Sequence, residues 1–163
     1  MQQHANALVL EDSPHMRVML TQLLHSLDVE HVDAAPCIAD AKTWLDLIAY
    51  DLALIDVGLD DENGLDLVRE IRLNPSHPLR RMPMIVVSGQ NQWSVIAKAR
   101  DAGADSFLTK PVSLGALEAR VTQVLERPHP YVECDTFFGP DRRRGPSRAY
   151  AGPERRLGEL WLA

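Results

Sequence analysis

The sequence has little cysteine, no long apolar run and no excess of positive charge, and each shortage narrows what the chain can be. Its two cysteines, Cys37 and Cys134, form neither a disulfide framework nor a metal-ligand spacing, which points to a reducing compartment. No apolar stretch approaches the roughly 20 residues that cross a bilayer, so membrane insertion is not expected. The N-terminal MQQHANALVLED lacks a basic stretch followed by a long apolar core, so no secretory leader is expected and the expected location is cytoplasmic. The net charge of −6 makes broad nucleic-acid binding a poor reading, and no direct DNA binding is expected.

What is present is an ordinary globular mix, 45% hydrophobic and 25% charged over 163 residues. The charge is uneven. Residues 1–127 hold 11 Lys+Arg against 18 Asp+Glu, a net −7, whereas residues 128–163 hold 6 Arg against 5 acids, a net +1. The break falls at Pro128-His129-Pro130. This divides the chain into a domain over 1–127 and an extended tail over 128–163.

Within the first part, apolar runs alternate with helical periodicity. The runs are Ala7–Leu10, a weaker Glu30–Ala34, Leu52–Ile55, Met84–Val87 and Ser106–Leu108. Between them lie stripes such as Met16, Met19, Leu20, Leu23, Leu24 and Leu27, or Leu114, Leu117, Val121 and Leu125, at the spacing of one helix face. The second helix is expected to carry Trp44, Leu45 and Ile48, and the fourth to end near Gly103. Strands apolar at every position suit a parallel sheet covered by helices on both faces. The fold class is therefore α/β, a doubly wound sheet.

In such sheets ligands bind beyond the carboxyl ends of the strands. Glu11, Asp12, Asp56, Ser88 and Lys110 all follow or end an apolar run, so the fold would bring them to one edge. Three carboxylates there would raise one another's pKa unless a cation neutralised them. Hard oxygen donors in that number suit Mg²⁺. Lys110 adds a mobile positive charge and Ser88 a hydroxyl donor. This is the equipment of phosphoryl transfer, in which a carboxylate can be the nucleophile. Asp56 is the best candidate because it sits centrally.

Four segments, LVLEDSPHMR, LALIDVGLDDENGLDLVREIR, MIVVSGQ and DAGADSFLTKPVSLGALEARV, taken in order, resemble the receiver domain of bacterial two-component response regulators. The likeness covers roughly residues 5–126 and includes Gly64, eight residues past Asp56. It implies a five-stranded parallel sheet of order 2-1-3-4-5 with five helices. It implies that Asp56 accepts a phosphoryl group from a histidine kinase or a histidine phosphotransfer protein, making the chain a phosphoprotein of a phosphorelay rather than a separate enzyme. Mg²⁺ would be held by Asp12, Asp56 and the Gly58 carbonyl, with Glu11 acting through water. Lys110 would pair with the phosphoryl group and Ser88 donate to it. Ser88 and the switch aromatic Phe107 would then reshape the face of helix four, strand five and helix five toward a downstream protein target. The resemblance also favours a cis Lys110-Pro111 bond. No further cofactor is implied.

Departures are few. Asp60 stands where the family usually has proline, followed by Asp61 and Glu62; exposed acids of this kind are usually solvated. Gly58 leaves the site open to water. The family's charged dimer pair is incomplete, with Arg120 present but Ser106 in the acid position, so a homodimer of another kind is left open. Trp93 is a candidate for the partner-facing surface. Haloacid-dehalogenase chemistry would need a second acid two residues past the nucleophile, where Gly58 stands. The tail repeats a motif, Phe138-Gly139-Pro140-Asp141-Arg142-Arg143 and then Ala151-Gly152-Pro153-Glu154-Arg155-Arg156. It reads as a disordered extension, or as a motif docking on a partner or on the domain itself. The leading functional reading is a phosphorylation-switched regulator. Its alternatives are a phosphate sink or shuttle in a phosphorelay, and a scaffold acting through the tail.

Overall fold

The computed structural model describes residues 5–142. In chain order its elements are β1 (Ala5–Leu10), α1 (Pro14–His25), β2 (Val29–Ala35), α2 (Ile38–Leu47), β3 (Leu52–Asp56), α3 (Gly64–Leu73), β4 (Met84–Ser88), α4 (Trp93–Asp101), β5 (Ser106–Thr109) and α5 (Leu114–Glu126), followed by β6 (Tyr131–Cys134) and β7 (Phe137–Pro140). The first five strands form one parallel sheet in the order β2-β1-β3-β4-β5.

The uninterrupted apolarity of the strands has a simple cause. Successive side chains of a strand point to opposite faces, and each face has its own core. Leu8, Leu10, Ala53, Ile55, Met84 and Val86 pack with Leu45, Val68, Ile71 and Ala99 under α2, α3 and α4. Their neighbours Ala7, Val9, Leu52, Leu54, Ile85 and Val87 pack with Leu20, Leu24, Leu117 and Val121 under α1 and α5. In β3 and β4, buried along their whole length, this leaves no position for a polar residue until Asp56 and Ser88 at the strand ends, whereas the edge strand β2 carries Glu30, His31 and Asp33 within it.

Helix starts follow from local chemistry. The Ser13 hydroxyl accepts from Met16 N–H at 3.4 Å with Pro14 as the first helical residue, and Ser113 caps α5 in the same way through Ala116 N–H. The second helix stops earlier than its stripe suggests. Ile48 is extended, so it packs against the core from the loop rather than from the helix. Helix α4 closes at Asp101, two residues short of Gly103, which takes a φ of 94°. That left-handed turn returns the chain to β5.

Residues 128–142 differ from the extended tail expected for 128–163. The Pro128-His129-Pro130 break ends α5, but the chain then doubles back as an antiparallel hairpin, with Tyr131 opposite Pro140 and Cys134 opposite Phe137. An isolated two-stranded hairpin is marginal in water. This one is held because Phe138, only 2% exposed, inserts against the domain. The second Gly-Pro-acid-Arg-Arg copy, residues 151–156, lies outside the described residues.

Candidate functional site

The sheet delivers the expected residues to one edge. Glu11 follows β1 and is fully buried, its backbone N–H donating to Ala35 C=O at 3.1 Å. Asp56 ends β3, beside the Val87 that precedes Ser88 on β4, and is 4% exposed. Lys110 follows β5. Its Nζ donates to Glu11 Oε2 at 2.7 Å and lies 3.0 Å from Asp56 Oδ2. Glu11, Asp12 and Asp56 each offer a carboxylate oxygen, and these oxygens lie within 4.8 Å of one another.

The electrostatics follow from this crowding. Burial, reinforced by the Asp56 charge, pushes Glu11 above its usual carboxylate range although Lys110 pulls the other way. Burial lowers Lys110, but its hydrogen bonds to Glu11 and Asp56 outweigh that and hold the ammonium above its ordinary value. Outside the pocket, the Asp12 charge and a hydrogen bond shared with it raise the exposed Asp60.

Backbone geometry fixes the acidic residues. Gly58 pairs with Asn63 across the loop after β3, and Asn63 Oδ1 accepts from Leu65 N–H to start α3. A Cβ at Gly64 would lie 1.9 Å from the Asp56 carbonyl oxygen, so only glycine lets α3 begin this close to Asp56. The Lys110-Pro111 bond is cis, and Lys110 N–H donates to Ser88 C=O at 2.8 Å, so the lysine and serine strands are tied at their ends. Ser88 Oγ is buried and accepts from Gln90 N–H at 3.1 Å. Phe107 is half-buried on β5, opposite Val86, and packs on the α2–α4 core. Trp93, at the start of α4, is 84% exposed.

Other contributors went unseen in the sequence. The Arg17 guanidinium donates to the carbonyls of Glu11 and Asp12 at 2.8 and 2.7 Å, pinning the acidic loop from one turn into α1. Glu62 Oε2 accepts from Ile38 N–H at 2.9 Å and so caps α2, whose N-cap Cys37 makes no side-chain bond. At least one of the three loop acids is therefore used structurally. At the opposite end of the sheet, Arg72 is 1% exposed and pairs with Asp105 at 2.7 Å. A signal existed for it: Arg72 falls four residues after Val68 and seven after Leu65, on the buried stripe of α3.

A family model for the response regulator receiver domain matches residues 7–122. The two-component response regulator PhoP of Pseudomonas aeruginosa is 34% identical over 134 residues, which cover 82% of this chain and 57% of that protein. The transcriptional regulatory protein PhoP of Escherichia coli K12 is 31% identical over 124 residues, covering 74% and 52%. The chain thus spans about half the length of these curated relatives. Among solved structures, the beryllofluoride-activated receiver domain of DrrB, a Thermotoga maritima protein, aligns with TM-score 0.65 and 25% identity, covering 76% of this chain and 99% of that one. A CheY-like receiver domain protein from Methanospirillum hungatei shares the fold, with TM-score 0.66 and 24% identity, covering 77% and 96%.

Proposed function

Because the chain belongs to the response regulator receiver family, we propose that Asp56 is its phosphoacceptor and that Lys110, Ser88 and Phe107 read the phosphorylation out. The observation that carries this is the placement of Asp56: it is buried at the sheet edge, under a lysine shared with Glu11, with Asp12 alongside. A histidine kinase or histidine phosphotransfer protein would supply the group. An Asp56 carboxylate oxygen attacks phosphorus, the phosphorus–nitrogen bond of the phosphohistidine breaks, and its electron pair stays on the imidazole. The product is an acyl phosphate on Asp56.

The chain's own residues account for most of this. Burial fixes Asp56 in one orientation. Lys110 lies within reach of the charge that the transferred group adds, about −1.5 to −2. Ser88 offers a hydroxyl from the adjacent strand end. Glu11, Asp12, Asp56 and the Gly58 carbonyl would hold Mg²⁺, whose contribution is to neutralise the crowded anionic oxygens. The fit rests on three hard carboxylate donors converging within 4.8 Å.

Movement of Ser88 and Phe107 would alter the face made by α4, β5 and α5, where Trp93 is the largest exposed apolar side chain, and so change affinity for a downstream protein. The relatives that are transcriptional regulators extend well beyond the matched region. DNA contact is not part of this reading for residues 5–142, and no helix among the described residues is long and apolar enough to cross a membrane. A second reading, a phosphate sink with fast self-dephosphorylation, is favoured by Gly58, beside which a side chain would meet nothing within 4 Å. Incubation with acetyl phosphate and Mg²⁺, read by intact mass, should give one phosphoryl adduct on the wild type and none on Asp56→Asn. A folded wild type without adduct would sink the phosphoacceptor reading.

A further inference from the structure

The β6–β7 hairpin lies beyond the family match and sits in a socket built for it at the base of the sheet, opposite the Asp56 edge. Tyr131 donates its hydroxyl to Asp105 Oδ1 at 2.6 Å and accepts from Arg72 at 3.2 Å. Phe138 stacks on Tyr131, with centroids 5.2 Å apart, and the Arg80 guanidinium lies 3.7 Å from the Phe138 ring centre. Arg80 also binds Glu133 at 2.9 Å. Two glycines meet back to back. A Cβ at Gly103 would lie 2.6 Å from the Phe138 carbonyl, and one at Gly139 would lie 2.9 Å from the Gly103 Cα. The Arg142 guanidinium then donates to the Ala104 carbonyl.

The residue that Tyr131 grips is not a surface acid. Asp105 Oδ2 accepts from Met84 N–H, the first amide of β4, at 2.7 Å, and Asp105 N–H donates to Met84 C=O at 2.8 Å. Asp105 also immediately precedes β5, a strand of only four residues. Phe107 is two residues further along and Lys110 five, while Ser88 closes the five-residue β4. The hairpin therefore clamps the starts of the two strands whose far ends carry the switch. Hydrogen bonds of 2.6 and 2.7 Å to a carboxylate are already near their optimum. Any slide or rotation of β5 weakens them, so docking favours the arrangement in which they are made.

We propose that the docked hairpin is an internal brake on the switch: it favours the arrangement with Lys110 on Glu11 and Asp56, and its release raises the affinity of the Asp56 pocket for a phosphoryl group. This rests on the phosphoacceptor reading above. By linkage, filling the pocket must loosen the hairpin by the same factor that loosening the hairpin tightens the pocket.

The test is a beryllofluoride titration with Mg²⁺ on the full chain, alongside amide hydrogen exchange over residues 131–140. Phe138→Ala should speed exchange in the hairpin and tighten beryllofluoride binding about 5- to 10-fold. Tyr131→Phe keeps the ring stack, removes only the hydroxyl, and should tighten it by a smaller factor. In the wild type, saturating beryllofluoride should speed hairpin exchange. Affinities in both variants unchanged within about twofold, or weakened, would overturn the brake while leaving the acceptor site intact. No binding to the wild type at all would overturn the acceptor reading and the brake together.

Discussion

Gly64 shows how much one atom can decide at this site. An added methyl group 1.9 Å from the Asp56 carbonyl oxygen and 2.8 Å from the Ile55 side chain has nowhere to go, since both contacts lie in the sheet. Gly64→Ala should lower stability by about 3 kcal/mol, in the upper range for single substitutions, and displace Asp56; urea denaturation and acetyl phosphate labelling should both report it. Two phenols are expected to govern the alkaline limit. Tyr50 donates to Asp33 at 2.6 Å and Tyr131 to Asp105 at 2.6 Å. Burial, then the neighbouring carboxylate, raises Tyr50 above its ordinary 10.0, and burial with the Asp105 charge raises Tyr131 despite Arg72. A phenol whose folded pKa is raised contributes stability that is complete below pH 10 and is lost as pH climbs toward the folded value. Thermal midpoints should fall as pH rises above about 10, where an unperturbed phenol ionises, and fall less steeply in Tyr50→Phe and Tyr131→Phe.

At the scale of elements, the loop after β3 does two jobs that its acidity alone would not suggest. Asp60 faces the Asp12 charge, while Glu62 turns away to cap α2. Removing that cap by Glu62→Ala should cost about 1 kcal/mol and speed exchange of the Ile38 amide, with phosphoryl labelling of Asp56 retained. Loss of labelling would instead place Glu62 in the acceptor chemistry. Helices α1, α3 and α5 need no such remote partner, because Ser13, Asn63 and Ser113 supply the acceptor locally. The hairpin is the opposite case. Its strands are short, its second strand carries Gly139-Pro140, and its stability comes from the socket rather than from its own pairing.

Across the whole molecule, the sheet separates two tasks. Its carboxyl edge collects Glu11, Asp12, Asp56, Ser88 and Lys110, and its amino edge holds the Arg72–Asp105–Tyr131 cluster. Both edges concentrate charge because the central strands β3 and β4 are packed on two sides, so their polar groups stand at the strand ends, while the edge strand β2 carries polar residues along its length. The net −7 of residues 1–127 is therefore not spread evenly over a surface. It is concentrated in part at a pocket where Lys110 lies within bonding distance of Glu11 and Asp56.

The strand and helix order, the two-sided burial and the convergence of the five polar residues were legible in the sequence. Each depends on local periodicity and on where an apolar run stops, and a parallel sheet turns those stops into one edge. Element order and the acidic pocket thus came from residues close in sequence or from one topological rule, and the sheet order from the family resemblance. What only the tertiary structure decided involves partners far apart in the chain. Arg72 and Asp105 are separated by 33 residues and Arg72 and Tyr131 by 59; nothing in the local pattern of residues 128–142 announces a socket made by α3 and the turn before β5. Chain connectivity and hydrophobic period set the receiver; long-range complementarity at its base turned part of the supposed tail into structure.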